Sequence, residues 1–364
     1  MQFKDRRIFS SNRRGTAVRS TSRFRLSSRK RGTAAIALIV ILCLLVVIFA
    51  NMFKFQQEVL KEMMEKQLKE EEDKYHRGAA ICAIQKDGVR YLDEWVDYNL
   101  AIGFEKIYIY DNSDDFEELK KWHEGRSRNA NQIVIKHFPG EAKQLAAYGD
   151  CGKTIHRARS HSWIAFFDID EFLVLKEPTK YRTVMDVLDT VSLHAGALAI
   201  NWEIFLFNNQ TKYEPKPVTK RFQTRATFPE QHVKTIARTS MFRNQGSTPH
   251  HVNTINNAKT VDTSGNELEH PIWINPKMTT DVLSLQHFYT KSMEEYQSRC
   301  GRGRADRKVN KISDPVEHYC KNATRIMIIL PDGYPGNVFD DSAWQILKAR
   351  VPEVYAKYDN ERGE

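Results

Sequence analysis

Residues 34–50, AAIALIVILCLLVVIFA, form an unbroken apolar run set directly against a basic tail. With Thr33 and residues 51–53 the run covers 33–53, and a bilayer-crossing helix needs roughly 20 residues. Residues 1–31 hold eleven Lys and Arg against one acid, Asp5, a net charge of +10. A cleaved signal peptide has a shorter apolar core, roughly 7–15 residues, and ends in small residues. Asn51-Met52-Phe53-Lys54 offers no such site. The pattern is that of an uncleaved signal-anchor. The positive-inside rule then places residues 1–32 in the cytosol and all that follows the span in the lumen. The 364-residue chain totals +9, so everything beyond residue 31 sums to −1. That near-neutral balance argues against nucleic acid as a partner and ties the basic excess to membrane orientation.

Residues 54–77 are charged, free of Gly and Pro, and carry a thin apolar stripe of Val59, Leu60, Met63, Met64 and Leu68. They are expected to form a helical stem. From residue 78 a globular domain is expected to run to 364. Residues 79–84 suggest a buried strand, 91–102 a helix, and 104–110 a strand stopped by Asp111-Asn112-Ser113-Asp114-Asp115. Residues 116–124 suggest a helix, 132–138 a strand, 141–161 a helix and 163–167 an apolar strand. This alternation predicts an α/β fold with a mostly parallel central sheet and flanking helices. Ligands in such sheets bind at the carboxyl ends of the strands, where both acidic clusters fall.

In the second cluster, Asp168 and Asp170 flank Ile169 between two apolar segments, WIAFF and FLVL. Residues i and i+2 of an extended chain point the same way, so the two carboxylates are presented together. Their repulsion favours a hard divalent cation such as Mg²⁺, Mn²⁺ or Ca²⁺, with open positions for substrate phosphates.

The order of basic tail, signal-anchor, stem and strand-DxD-strand domain resembles type II Golgi transferases of the GT-A architecture. More narrowly, LDEWVDYNLAIGFEKIYIYDNSDD and WIAFFDIDEFLVL resemble glycosyltransferase family 92 and its family-2-like relatives. Further matching pieces are NWEIF (201–205), KRF (220–222), VKTIAR (233–238), PHH (249–251), VDTSGN (261–266) and HFYTKSMEEY (287–296). The resemblance runs from about residue 80 to 304, with Phe288 standing where such proteins more often have Tyr. It implies that Asp111 and Ser113 meet the uridine or ribose of a nucleotide sugar. Asp168 and Asp170 would hold Mn²⁺ (or Mg²⁺), with Asp168 serving the donor site as well. His287 would be a third metal ligand and Lys291 a cation on the β-phosphate. The implied activity is inverting transfer of a hexose, galactose being the sugar expected, from a UDP-linked donor to a glycan on a glycoprotein or glycolipid. The expected site of action is the Golgi lumen.

Inversion needs a base for the acceptor hydroxyl. Glu203, beside Trp202, is one candidate, with Glu171 and Asp262 as alternatives; a structural role for Glu203 is the competing reading. His250 and His251 are either metal or phosphate contacts or ordinary loop residues. Cys43 lies in the span. Cys82, Cys151, Cys300 and Cys320 allow up to two disulfides in an oxidising lumen, Cys300–Cys320 being the more local pairing. Asn209 and Asn322 begin glycosylation acceptor triplets. The alternative function is an inactive, membrane-tethered glycan-binding module on the same scaffold.

Overall fold

The computed structural model describes residues 28–302 and 337–359. The chain divides between Met63 and Met64 into two units. Helix α1 (Ser28–Glu72) begins in the first, where the large apolar side chains from Ile36 to Phe55 are all more than half exposed. By length and composition it is the one described helix able to cross a membrane. The helix continues unbroken into the charged segment because nothing there interrupts it: no Gly, no Pro, and mostly good helix formers.

The second unit is built on a mixed sheet. Its early strands are β1 (Ala79–Gln85), β2 (Lys106–Asp111), β3 (Ile133–His137) and β4 (Trp163–Phe166). Between them lie helices α2 (Leu92–Ala101), α3 (Glu117–Gly125) and α4 (Gln144–Ala158). These elements stand where the apolar periodicity places them, with boundaries shifted by up to three residues. Then follow β5 (Glu171–Leu175), α5 (Val184–Leu188), β6 (Ala195–Ile204), α6 (Val218–Arg221), β7 (Thr224–Ala226) and β8 (Glu230–Arg238). Short strands β9 (Phe242–Gln245), β10 (Val252–Thr254) and β11 (Lys259–Val261) precede β12 (Leu283–His287) and helix α7 (Met293–Arg302). Strand β13 (Asn337–Phe339) and the helix Ser342–Arg350 come last among the longer elements.

The main sheet has the order β3-β2-β1-β4-β8-β6-β12-β5, with β11 beside β6. Its first four strands are parallel. Beyond β4 the sheet is mixed, because β8 runs antiparallel to both β4 and β6, and β12 runs antiparallel to β5. The fold is thus the expected α/β architecture with flanking helices, the parallel character being concentrated in one half.

Strand alternation divides the core. Ala79, Ile81 and Ala83 of β1 face one apolar cluster with Trp95 and Tyr98 of α2. Ala80, Cys82 and Ile84 face the other, with Tyr148 and Cys151 of α4. Cys82 and Cys151 are joined in a disulfide, which staples α4 to β1. Cys300 is also disulfide-bonded, and Cys320, its expected partner, lies outside the described residues, as does Asn322.

Candidate functional site

The turn Asp168-Ile169-Asp170 leaves the carboxyl end of β4 and leads into β5. Asp168 is held on three sides: Oδ1 accepts from Gln144 Nε2 at 2.7 Å and Tyr148 Oη at 2.8 Å, both on α4, while Oδ2 lies 2.9 Å from Lys234 Nζ. Lys234 comes from β8, the neighbour of β4, and is fully buried. Its ammonium is also 3.6 Å from Glu171 Oε2, which accepts from the Asp168 backbone N–H at 2.8 Å. Burial works against the Lys234 charge, but Asp168 and Glu171 hold it above its ordinary value. Burial likewise pushes the Asp168 carboxyl up, and Lys234 more than reverses this, leaving it low. Glu171 has no exposure to water, and burial drives its carboxyl well above the usual range. The ammonium is therefore matched chiefly to Asp168.

Asp170 faces different partners. Strand β12 pairs with β5 so that His287 stands opposite Glu171, and the Phe288 N–H donates to the Asp170 carbonyl at 2.9 Å. This brings His287 Nε2 to 3.6 Å, Lys291 Nζ to 3.3 Å and Arg299 Nη1 to 3.6 Å from the Asp170 carboxylate. Burial raises the Asp170 carboxyl, but Lys291, His287 and Arg299 together carry it well below the carboxylate range. Lys291 adopts a left-handed backbone, φ 53°, a conformation few non-glycine residues take. Both ring nitrogens of buried His287 lack a hydrogen-bond partner among the described residues. Among those residues, no group of three or more His, Cys, Asp or Glu is arranged to hold a metal. Asp170 and His287 face one another, while Asp168 is already engaged by protein donors.

Asp111 ends β2 and is buried beside β1. Its Oδ1 accepts from Gln85 Nε2 at 2.7 Å and the Ser113 N–H at 2.9 Å. Burial raises its carboxyl, partly offset by the Ser113 bonds. Ser113 Oγ accepts from the Asp87 N–H at 3.0 Å, and Gln85 Oε1 accepts from the Gly88 N–H at 2.7 Å. A Cβ on Gly88 would sit 2.5 Å from the Cδ1 end of Ile169, so the β1–α2 loop closes directly on the acidic turn. Asp111, Ser113, Asp168, Asp170, His287 and Lys291 all therefore fall at one edge of the sheet.

Glu203 does not join them. It lies on the opposite face of β6 from Trp202, accepting from Lys176 Nζ at 2.8 Å and Ser284 Oγ at 2.7 Å, with Arg225 3.7 Å away. Strand alternation explains this: Trp202 and Glu203 are consecutive, so only one can face the site. Trp202 does, with its ring centroid 4.4 Å from that of His287, 5.7 Å from His232 and 5.2 Å from His250. His251 is elsewhere, beside Trp273. Asp262 is folded into its own turn, accepting from the Ser264 and Asn266 N–H groups.

Sequence reasoning passed over Lys234, Gln144, Tyr148 and Arg299. Lys234 had a signal: a lysine inside the apolar strand VKTIA must either reach water or find a buried acid. Gln144 and Tyr148 lie one helical turn apart on α4, and nothing in their sequence names the acid they reach.

The family model for glycosyltransferase family 92 matches residues 81–304, well over half of the chain. A glycosyltransferase family 92 protein of Oryza sativa subsp. japonica is 30% identical over 162 residues, covering 43% of this chain and 26% of that protein. One from Ricinus communis is 26% identical over 155 residues, covering 42% and 27%. The chain thus spans about a quarter of the length of these curated relatives. Among solved structures, S. aureus TarS residues 1–349 aligns at 15% identity and a TM-score of 0.29, over 45% of this chain and 48% of TarS. On the extent of the family match, this chain belongs to glycosyltransferase family 92.

Proposed function

We propose that the chain is a metal-dependent, inverting glycosyltransferase that moves a hexose, galactose by expectation, from a UDP-linked donor to a glycan on a glycoprotein or glycolipid. The observation that carries this reading is the convergence of Lys291, Arg299 and His287 on Asp170, beside the Lys234-bound Asp168. Such a mixture of cations and carboxylates at the carboxyl ends of the strands suits a sugar diphosphate. Lys291 and Arg299 would bind the phosphate oxygens, stabilising charge where it develops as the bond to the sugar breaks. Asp111 would orient the nucleoside, with Ser113 bracing the loop beside it.

What supports a divalent metal is the Asp170–His287 pair, although the described residues hold no ready group of three or more metal-ligating side chains. His287 is buried with two uncommitted nitrogens, one of them 3.6 Å from the carboxylate of Asp170. Asp170 and His287 would hold Mn²⁺ (or Mg²⁺), with Asp168 at its side. Bound there, the metal would neutralise the diphosphate leaving group. The 33–53 span would anchor the enzyme as a single-pass type II Golgi protein, with 54–77 as stem and 78–364 in the lumen.

The test is a panel of nucleotide sugars offered to the full-length chain in detergent, with Mn²⁺ or with chelator. Transfer or hydrolysis of one UDP-sugar is expected only with metal. Asp168→Ala combined with Asp170→Ala should lower turnover by at least about 10²-fold. Full turnover by that double variant would defeat the metal assignment.

A further inference from the structure

We propose that His232, oriented by Glu230, is the general base that takes the proton from the acceptor hydroxyl. This rests on the glycosyl-transfer reading above. The nearby carboxylates are each committed elsewhere. Glu171 is enclosed with Lys234 and the Asp168 N–H, Asp262 holds its own turn, and Glu203 lies on the far face with Lys176.

His232 is differently placed. Its Nδ1 lies 2.9 Å from both carboxylate oxygens of Glu230, and its own N–H donates to Glu230 Oε2 at 2.7 Å. A carboxylate can only accept, so Nδ1 carries the proton and Nε2 presents its lone pair. No described residue engages that Nε2. The side chain is 42% exposed, so an acceptor can reach it. Glu230 raises the imidazole above its ordinary value against the opposing effect of burial, which strengthens it as a base.

Position supports the role. Glu230 and His232 precede Lys234 on β8, and Lys234 reaches Asp168. The β6–β8 register shifts between Asn201 and Trp202, next to these residues. Bulges of this kind re-aim side chains. Trp202 lies between the two halves of the site: stacked on His232 at an interplanar angle of 29°, and 4.4 Å from His287 beside Asp170. Its buried indole N–H has no acceptor among the described residues, leaving a donor for a sugar hydroxyl. His250, a third histidine against this tryptophan, is the weaker base. Its Nδ1 is 3.0 Å from the Val233 carbonyl, and burial holds it down to about 3.

In the step, the acceptor hydroxyl oxygen bonds to the anomeric carbon while its proton passes to His232 Nε2. The bond from that carbon to the diphosphate oxygen breaks, and its electron pair leaves with the nucleoside diphosphate. The proton is returned to solvent from the imidazolium. Glu230 is a positioning residue that stabilises the imidazolium, and of the charged or titratable groups on neighbouring elements, His250 stands 5.4 Å from the His232 ring.

The experiment uses full-length chain in detergent, UDP as the binding probe, and the UDP-sugar turned over by the wild type. His232→Gln should lower kcat by about 10²–10⁴-fold with UDP affinity unchanged. Added imidazole should restore part of the activity of His232→Ala. Glu230→Gln should move the acid limb of the kcat profile to lower pH, because the carboxylate that raises His232 is gone. Wild-type kcat in His232→Gln would overturn the proposal, as would loss of UDP affinity in that variant or an unmoved acid limb in Glu230→Gln. A wild type that neither binds UDP nor transfers any sugar would instead overturn the glycosyl-transfer reading, and the base with it.

Discussion

At the scale of single residues, the site is governed by how buried charges are matched. Lys234 gives Asp168 a fixed counter-ion, so the acidic turn does not depend on solvent to relieve its repulsion. Removing one member of such a set is costly because the remaining charge is left buried and unpaired. A titrating residue farther away gives a simpler prediction. His161, just before β4, is buried, and burial holds its imidazole down to about 4 despite the pull of Glu105, 3.8 Å away. In the unfolded chain it titrates near 6.5. The unfolded state therefore binds the proton first, and this contribution to stability is complete above about pH 6.5 and is lost as the pH falls toward 4. Denaturant unfolding at pH 7.5 and 5.0 should show a loss of roughly 2 kcal/mol from this group, largely absent in His161→Gln. An identical slope in the two proteins would show that another group is responsible.

At the scale of elements, α4 matters because it delivers Gln144 and Tyr148 to Asp168. Its packing against β9 is close: a Cβ on Gly152 would lie 2.5 Å from the Phe242 ring, itself stacked on Phe166. Alanine favours a helix over glycine by about 1 kcal/mol. Even so, Gly152→Ala should destabilise the protein, since overpacking of a core costs roughly 1–3 kcal/mol. A gain in stability by thermal melting would show that the Phe242 ring yields freely. The elements themselves were legible in the sequence, because 79–84 is a short continuous apolar run and apolar residues recur at helical spacing in 91–102. The acidic turn was legible for the same reason: it interrupts two apolar strands. The facing of Glu203 was not, since that depends on the parity of β6. Nor was the Glu230–His232 pair, whose meaning comes only from Trp202 and its neighbours on β6 and β12. Lys234 stood out as a lysine within an apolar strand, but which buried acid it meets depends on the β4–β8 pairing, which the local sequence does not show.

At the scale of the whole molecule, the family match ends at residue 304, but the described residues 337–359 complete the same core. Strand β13 pairs with β7, and Trp344 and Leu347 are buried in the cluster that contains Trp95 and Phe172. Asp340 draws Arg225 and Gln286 together behind the sheet, while the Tyr355 hydroxyl donates to Asp97 of α2 at 2.9 Å. Trp344→Ala should therefore cost about 3–5 kcal/mol, as an aromatic lost from a packed core does. Denaturant unfolding measures this, and a loss below about 1 kcal/mol would mean that the segment is dispensable. The Cys82–Cys151 staple carries a practical consequence for making the protein. It joins β1 to the helix that steadies Asp168 across a sequence separation of 69 residues. Closing a loop of that length removes on the order of 4 kcal/mol of unfolded-state freedom. A production host that keeps thiols reduced would thus yield chains in which α4 is untethered, and low activity from such material would report its oxidation state before it reported anything about the substrate.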